Sequence, residues 1–506
     1  MVQEAVSYFH FLSEEVNVTA SDKKELFEIT HNEDGSLLVQ IFKIDRDGNT
    51  NEKMFDRKFD PLYTKEVRLF GMGGDDKFII KGGDDKIKTR LIGGGGQDVF
   101  ENQGKTARRT GIVYDRRDGG NTITGEFKNK MSNDSDVNKF ERLGFDYNRV
   151  APVFTAGFNP DDGVSLGIGL RITRHGFRKE PFKTQNEISV LHSLATAAWR
   201  FRYNGEFMSV FGRRTDIVAN IDIRSPNNTT NFFGYGMNSV YDKTKPGKFK
   251  YYRARYDLAD AYLLIRHRSA NNKMQFSIGP TFQFYEMDAD DKKNMVRFIS
   301  QTGTGPGQNG LLASDIFQKQ KYFGVFGSLT VDTRNNKVLP EKGIVWDNRV
   351  RYLGGMGDTR FSPTQINSDL SFYLPIVHDR LTFADRLGAG TTLGDFNFHQ
   401  AQYLGTNENL RGYRKDRWAG KSKLYNQAEL RWRVANFKTY LFPGALGFLF
   451  FVDAGRVWVE NDNVSDMAVG YGLGFWFSPL RRILITINYG ISSEDKIPFF
   501  TLGWRF

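Results

Sequence analysis

The feature that most constrains this chain is a repeat of segments about ten residues long, running from about Phe140 to the last residue. In each segment apolar side chains alternate with small or polar ones, and connections rich in Gly, Asn, Asp and Lys separate the segments. Ten residues is about the length of a tilted strand that crosses a bilayer. Clear examples are Val164–Ile172, Thr215–Ile223, Tyr322–Val331, Leu446–Val452 and Val469–Phe477. The pattern predicts membrane strands whose side chains divide between lipid and lumen.

Composition agrees with membrane strands rather than with membrane helices. Of the 506 residues, 44 are Phe, 21 are Tyr and 25% are charged. No run approaches the roughly 20 apolar residues that a membrane helix needs. About 365 residues, at roughly 20–25 for each strand and its connection, predict about 16 strands. We therefore predict an all-β membrane protein with an antiparallel transmembrane β-barrel over residues 140–506, preceded by a small β-rich domain over residues 1–139. A soluble β-sandwich is the alternative.

The end of the chain continues the alternation to the final side chain. One face of the terminal segment carries only large apolar residues: Phe500, Leu502, Trp504 and Phe506. A last strand that ends on an aromatic residue resembles the C-terminal assembly signal of bacterial outer-membrane barrels. Because the last strand of a barrel closes on the first, we expect a seam between Val150–Phe158 and Phe499–Phe506.

Three further motifs narrow the type of barrel. They are the turn Asp332-Thr333-Arg334 followed by Pro340 and Gly343, the loop sequence Leu410-Arg411-Gly412-Tyr413, and the strand sequence Phe451-Val452-Asp453-Ala454-Gly455. In this order, ahead of a terminal Phe, they resemble the superfamily of outer-membrane assembly and translocation barrels. That superfamily includes BamA, TamA, two-partner secretion transporters and the bacterial surface antigen family.

The resemblance implies that the loop folds back into the lumen and that Arg411 pairs with Asp453. A guanidinium matches a carboxylate bidentately, so the pairing is chemically reasonable inside a barrel. Gly412 would allow a close turn, and Tyr413 would anchor the loop by packing. Glu429 is a second acidic candidate, for both Arg411 and Arg414. Without the resemblance, the same residues describe an ordinary exposed loop.

A glycine–aspartate tract occupies residues 71–100 of the front domain. It contains Gly71–Phe78 and Gly93–Phe100, which fit a calcium-binding repeat loosely, and Asp76 and Asp85 are nine residues apart, the period of that repeat. Asp98 breaks the period. Asp76, Asp85 and Asp98 are therefore weak calcium candidates, and no other cofactor is expected. The alternative is a set of tight hairpin turns.

Several functions are excluded by what the sequence does not contain. Cysteine is absent, and the seven His show no metal-ligand spacing. We recognise no G-x-S-x-G elbow, phosphate loop or dimetal cluster, so we predict that these residues form no enzyme. The net charge of +11 is spread along the chain rather than clustered. Outer-membrane lipid or lipopolysaccharide is therefore a better partner than nucleic acid.

The front domain does not resemble the POTRA modules that precede most barrels of this superfamily. It shows one amphipathic helix, within residues 1–30, and otherwise short strands. Some members carry an enzyme in front of the barrel, and the glycine–aspartate tract resembles the connecting region of the phosphoesterase-fused type. No export signal is recognisable, so we expect a mature form or the C-terminal part of a longer chain.

We predict a bacterial outer-membrane protein, with its front domain in the periplasm, that inserts or translocates polypeptides. Unfolded outer-membrane polypeptides or lipoprotein subunits are the expected partners. Two alternatives remain open: a passive outer-membrane channel, and a structural subunit of a larger outer-membrane complex.

Overall fold

The computed structural model describes residues 2–502 apart from 84–85, 105–110, 143, 145, 290–312, 407, 441, 461–464 and 481–482. The chain forms two compact units, Met1–Phe145 and Asp146–Phe506. The boundary falls a few residues after the predicted one. Across the described ranges, no helix combines the length and the apolar character needed to span a membrane.

The front unit begins with helix α1, Val2–Ser13, which confirms the helix predicted within residues 1–30. Its strands are β1 (Glu15–Thr19), β2 (Glu25–His31), β3 (Leu37–Ile44), β4 (Thr50–Phe59), β5 (Glu66–Gly73), β6 (Lys77–Gly82), β7 (Lys88–Gly95), β8 (Val99–Asn102), β9 (Gly111–Tyr114), β10 (Thr122–Thr124) and β11 (Lys128–Asn129). A 3₁₀ turn follows at Ser135–Asn138. One sheet has the order β1-β5-β7-β9-β11 and the other the order β10-β8-β6-β2-β3-β4.

From β5 to β11 the chain alternates between these two sheets, and strands of successive turns pair in parallel. From β5 to β9 each turn of this coil takes 22 residues, since Leu69 lies beside Leu91 and Phe78 beside Phe100. Between the sheets Phe27, Phe78 and Phe100 stack, with ring centroids 4.3 and 5.0 Å apart. The hairpin interpretation of the glycine–aspartate tract is therefore wrong, because its strands pair in parallel. The nine-residue period of the calcium-binding repeat is also wrong, because paired residues of the tract lie 22 positions apart.

The aspartates of this tract form a ladder between successive turns of the coil. The backbone N–H of Glu25 donates to Asp76 Oδ1 at 2.9 Å, and that of Asp76 donates to Asp98 Oδ1 at 2.8 Å. Glycine is required next to each carboxylate. A Cβ on Gly71 would lie 2.1 Å from Asp76 Oδ2, and one on Gly93 would lie 2.2 Å from Asp98 Oδ2. The recurring Gly and Asp thus satisfy buried backbone donors without a hairpin.

Two of the three calcium candidates lie in the described part of the chain, and both act as hydrogen-bond acceptors. Asp85 lies outside the described residues. Asp76 and Asp98 are buried acceptors, and burial raises the pKa of Asp76 to about 9 and that of Asp98 to about 8. Within the described part of the chain, no group of three or more His, Asp or Glu side chains is placed to hold a metal ion.

The second unit is a closed antiparallel barrel of sixteen strands, which confirms the predicted fold class and strand number. Its strands are β12 (Arg149–Asn159), β13 (Gly163–Arg174), β14 (Thr184–Ser193), β15 (Ala198–Phe207), β16 (Thr215–Asn231), β17 (Arg253–Arg268), β18 (Met274–Glu286), β19 (Gln320–Asp332), β20 (Gly343–Met356), β21 (Thr364–Val377), β22 (Leu381–Leu393), β25 (Ser422–Lys438), β26 (Pro443–Trp458), β27 (Ala468–Pro479), β28 (Ile485–Ser492) and β29 (Lys496–Leu502). The connections contain β23 (Gln402–Leu404), β24 (Trp418–Gly420), a short helix α2 (Ala313–Ile316) and 3₁₀ turns at Lys248–Tyr252 and Phe398–Gln400.

Side chains alternate across the barrel wall with the predicted period of two. Near the C terminus, Ile483, Ile487 and Tyr489 are exposed. The side chains that alternate with them, Leu484, Thr486 and Asn488, are buried. On β26 the exposed set is Phe448, Phe450 and Val452, and the buried set is Leu449, Phe451 and Asp453. The alternation therefore identifies which functional side chains face the lumen.

The seam lies between β12 and β29, as predicted. Among the described residues, Phe158 and Phe500 are the one register pair that joins them. Trp504 and Phe506 lie outside the described residues, so only Phe500 and Leu502 of the predicted terminal signal are placed on β29. The longest connections, residues 232–252, 287–319 and 394–421, leave from the end of the barrel opposite the start of β12.

Candidate functional site: the lumenal loop

The connection between β22 and β25, residues 394–421, packs against the lumenal side of the barrel wall. In it β23 and β24 form a short antiparallel hairpin, with Leu404 opposite Trp418. The apolar side chains of the loop and of the wall form one buried cluster: Leu404, Leu410, Tyr413, Trp418, Tyr425, Val457 and Ala468. Burial of this apolar surface holds the loop against strands β25 to β27.

Arg411 is held by lumen-facing carboxylates on two neighbouring strands. Its Nε donates to Asp453 Oδ2 at 2.7 Å and its Nη2 donates to Asp453 Oδ1 at 2.6 Å, which makes a bidentate pair. Its backbone N–H donates to the same carboxylate at 2.8 Å. Its Nη1 donates to Glu429, which also accepts from Arg431 Nε at 2.8 Å. All four side chains are buried, so two cations face two anions away from solvent.

An aromatic ring and a glycine with a positive φ complete the anchor. The guanidinium carbon of Arg411 lies 3.6 Å from the ring centroid of Phe451, within cation–π distance. Gly412 has a φ of 92°, and a Cβ there would lie 2.9 Å from the backbone carbonyl carbon of Ile491. Any other residue would therefore meet both a strained backbone and a steric clash at this position.

Two further motif residues position the loop by contact rather than by charge. The hydroxyl of Tyr413 donates to the carbonyl of Val469 on β27 at 3.0 Å. A Cβ on Gly455 would lie 3.1 Å from Leu404 in the loop and from Tyr425 on β25. The small residue in the strand motif thus lets the hairpin of the loop approach the wall closely.

Arg414 differs from the prediction. It pairs with Asp495, Nε to Oδ2 at 2.8 Å, rather than with Glu429. The positive φ of Gly412 turns the chain after Arg411, so the loop continues away from β25 and toward the turn between β28 and β29. Residues 411 and 414 therefore have different acidic partners.

The turn motif lies at the opposite end of the barrel, between β19 and β20. Arg334 donates to Asp332 through Nε at 3.0 Å and through Nη2 at 2.9 Å. Gly343 has a φ of 109°, and a Cβ there would lie 2.5 Å from the carbonyl oxygen of Thr333. Pro340 lines a shallow cavity with Arg433, among other residues. Arg334 also contacts Tyr373 on β21. The Tyr373 ring centroid lies 5.6 Å from the guanidinium carbon of Arg431, so the motif and the Arg411 cluster share this tyrosine as a neighbour.

Sequence reasoning missed a group of acidic residues that contact the loop from two hairpin turns. They are Asp161 and Asp162 between β12 and β13, and Glu494 and Asp495 between β28 and β29. Their partners are Arg414, Lys415 and Arg417. The sequence feature that could have identified them is a pair of adjacent acidic residues in the short connection next to each seam strand.

Sixteen antiparallel strands closed around an inward-folded loop define a transmembrane β-barrel of the outer-membrane type. Residues 203–498 match a family model described as the Omp85 superfamily domain. The chain belongs to the Omp85 superfamily, which confirms the family resemblance carried by the three motifs and makes this a bacterial outer-membrane protein.

Solved structures with a similar fold include a BamA and two CdiB proteins. BamA from Haemophilus ducreyi lacking POTRA domains 1–3 is 11% identical with a TM-score of 0.48, over 71% of this chain and 70% of that chain. CdiB from Acinetobacter baumannii is 14% identical with a TM-score of 0.42, over 71% and 59% of the two chains. CdiB from Escherichia coli is 14% identical with a TM-score of 0.44, over 70% and 62%. The match thus spans less than two thirds of either CdiB chain. A comparison with curated proteins finds no match.

Proposed function

We propose that this protein inserts or translocates polypeptides at the outer membrane and that loop 394–421 is a plug in its lumen. Membership of the Omp85 superfamily supports the general role. The observation that carries the proposal is the burial of Arg411 between Asp453 and Glu429. Removing such charges from water is costly unless every partner is in place. A barrel that anchors a loop in this way is poorly suited to passive diffusion, so substrate would leave through the seam.

The partners and the orientation follow from the same proposal. The chain enters β12 at the end opposite the longest connections, and barrels of this type have short turns on the periplasmic side. The front unit would then lie in the periplasm. Unfolded outer-membrane polypeptides are the proposed substrates, with lipoprotein subunits as further partners and outer-membrane lipid or lipopolysaccharide around the barrel. The protein would act by binding and positioning, without catalysis.

Locking the seam tests this proposal. Phe158→Cys and Phe500→Cys place thiols at opposed positions of β12 and β29, and the chain contains no other cysteine. The barrel is reconstituted in liposomes, and assembly of an added unfolded outer-membrane polypeptide is followed by its heat-modifiable gel mobility. We expect the oxidised barrel to lose most of its assembly activity and to regain it after reduction.

A matched control places the crosslink elsewhere in the wall. Val190 and Phe201 are opposed on β14 and β15 and are exposed to a similar degree. The disulfide of Val190→Cys with Phe201→Cys should leave assembly unchanged. Full activity of the oxidised seam variant would exclude the seam as the exit.

A further inference from the structure

Two hairpin turns flank the seam at the end from which the longest connections leave. Residues 160–162 join β12 to β13, and residues 493–495 join β28 to β29. Each turn belongs to the hairpin of one seam strand, and each carries an adjacent acidic pair. If the seam opens from this end, these two turns must move apart.

The loop contacts the turn of the first strand through Lys415. Its Nζ donates to Asp162 Oδ2 at 3.1 Å, and its backbone N–H donates to Asp161 Oδ2 at 3.2 Å. Asp161 is only 3% exposed, and its Oδ1 accepts from Asn231 Nδ2 at 2.9 Å. The contact is therefore fixed in a defined geometry and largely sheltered from solvent.

The same segment contacts the turn of the last strand through two arginines. Arg414 Nε donates to Asp495 Oδ2 at 2.8 Å, and Arg417 Nη2 donates to Glu494 Oε1 at 2.7 Å. Arg417 is 3% exposed. Arg414 also lies 3.9 Å from Asp161, so this one guanidinium faces carboxylates on both sides of the seam.

A second loop holds these cations in place. Phe249 and Phe233, both in residues 232–252, have ring centroids 4.2 Å from the Arg414 guanidinium and 4.9 Å from that of Arg417. Lys243 of the same loop adds a contact to Asp495 at 3.2 Å. Partly buried pairs joined in a network keep more of their strength than isolated surface pairs.

We propose that residues 414–417 form a latch that holds the seam closed at the end where the long loops lie. This inference rests on the proposed function, since it assigns a control element to the seam through which substrate would leave. Opening the seam from this end requires the loop to release one of the two acidic turns. The anchor at Arg411 is a separate contact and can persist while the latch opens.

Distance measurements across the seam test the latch. Spin labels are attached to Val164→Cys, at the start of β13, and Lys496→Cys, at the start of β29, both on exposed side chains. Pulsed electron–electron double resonance on the full chain in lipid nanodiscs gives the distribution of distances between the two labels. With Arg414→Gln, Lys415→Gln and Arg417→Gln, we expect the single short distance of the parent to be joined by a longer, broader population.

The matched control is Lys421→Gln, in the same loop. Lys421 pairs with Glu460 on the neighbouring connection and not across the seam, so its replacement should leave the distribution unchanged. Glu494→Gln with Asp495→Asn removes charge from the wall side and should reproduce the longer population. Combining Arg417→Glu with Glu494→Arg should shorten the distances relative to either single change.

The readout separates this inference from the proposed function. Heat-modifiable mobility first establishes that each variant is folded. An unchanged distance distribution in both folded charge-neutralised variants would overturn the latch, whatever the assembly activity. A population with longer distances in the charge-neutralised variants supports the latch, whether or not the protein assembles polypeptides. Absence of assembly activity in the parent would count against the proposed function alone.

Discussion

At the scale of single residues, the Arg411 cluster shows how a buried charge is tolerated. The bidentate pair with Asp453 uses two guanidinium donors, Glu429 takes a third, and Arg431 supplies the second cation. Each carboxylate therefore has a cation next to it, and each charge is offset by a neighbour. Loss of one member leaves a buried charge without its partner and lowers the stability of the fold strongly. Replacing the whole pair by apolar residues of similar size would cost much less.

A double-mutant cycle on Arg411 and Asp453 measures this coupling. We expect Arg411→Ala to destabilise the folded barrel by about 3–5 kcal/mol, because Asp453 stays buried without its cation. The coupling energy between Arg411→Ala and Asp453→Ala should be roughly 0.5–3 kcal/mol. The measurement is reversible urea unfolding in lipid, followed by tryptophan fluorescence.

Lys421→Ala serves as the control for this cycle. Its pair with Glu460 is largely solvent-exposed, so a change of at most about 1 kcal/mol is expected. Strictly additive effects of Arg411→Ala and Asp453→Ala would contradict the pairing as a source of stability.

At the scale of elements, the front unit is a parallel coil whose turns are joined by side chains as well as by strands. Asp98 accepts from the backbone N–H of Asp76 one turn earlier, and Asp76 accepts from that of Glu25 on β2. Their second carboxylate oxygens are buried beside Gly71 and Gly93, and each aspartate has another carboxyl as a neighbour, Glu25 for Asp76 and Asp115 for Asp98. Burial therefore favours the protonated form and raises both pKa values, to about 9 and about 8.

These pKa values predict the pH dependence of the front unit. A carboxyl in the unfolded chain has a pKa near 4, so between about pH 4 and about pH 9 the folded unit binds protons that the unfolded chain releases. Stability is then fully present in acid and falls as the pH rises through this window. Hydrogen exchange of β6 to β8 in the full chain, corrected for intrinsic rates, should show less protection at pH 8 than at pH 5.

Asp98→Asn should flatten this dependence, because an amide oxygen still accepts the hydrogen bond but has no proton to lose. The control is Asp75→Asn at a neighbouring exposed carboxyl. A hydrogen bond from Lys24 lowers the pKa of Asp75, so its replacement should leave the fall in protection between pH 5 and pH 8 in place. Protection that increases with pH in the parent would contradict the assignment.

At the scale of the whole molecule, the proposal depends on whether the loop closes the lumen. The loop is bound to the wall by the Arg411 cluster and by the apolar cluster around Tyr413 and Trp418. A passive channel would need a lumen that this loop leaves open.

Single-channel conductance in planar bilayers separates the two cases. Leu404 and Trp418 are directly opposed, so an Asn-Gly turn can replace residues 405–417 while β23 and β24 are kept. We expect small or intermittent conductance from the parent and a large, steady conductance from the shortened loop. Large and steady conductance from the parent barrel would favour the passive channel instead.

The barrel could be predicted because alternation is a local property. Each side chain on a strand faces lipid or lumen according to its position. An apolar residue next to a polar one, as at Ile487 and Thr486, therefore predicts which side chain is exposed and which is buried. The pairing of Arg411 with Asp453 came from the family resemblance, and the structure contains that contact. The acidic pair at Asp161 could not be distinguished from an ordinary solvated turn.

The sequence by itself determined the strands, their number and the identity of the loop, because these depend on period, length and short motifs. Only the tertiary structure decided the parallel coil of the front unit and the contacts across the seam. Gly and Asp at Gly93 and Asp98 fit a hairpin as well as a coil, since local turn chemistry is the same in both. The choice was made by packing between turns 22 residues apart, where Phe78 stacks on Phe100. The contacts across the seam likewise join residues that meet only once the barrel has closed.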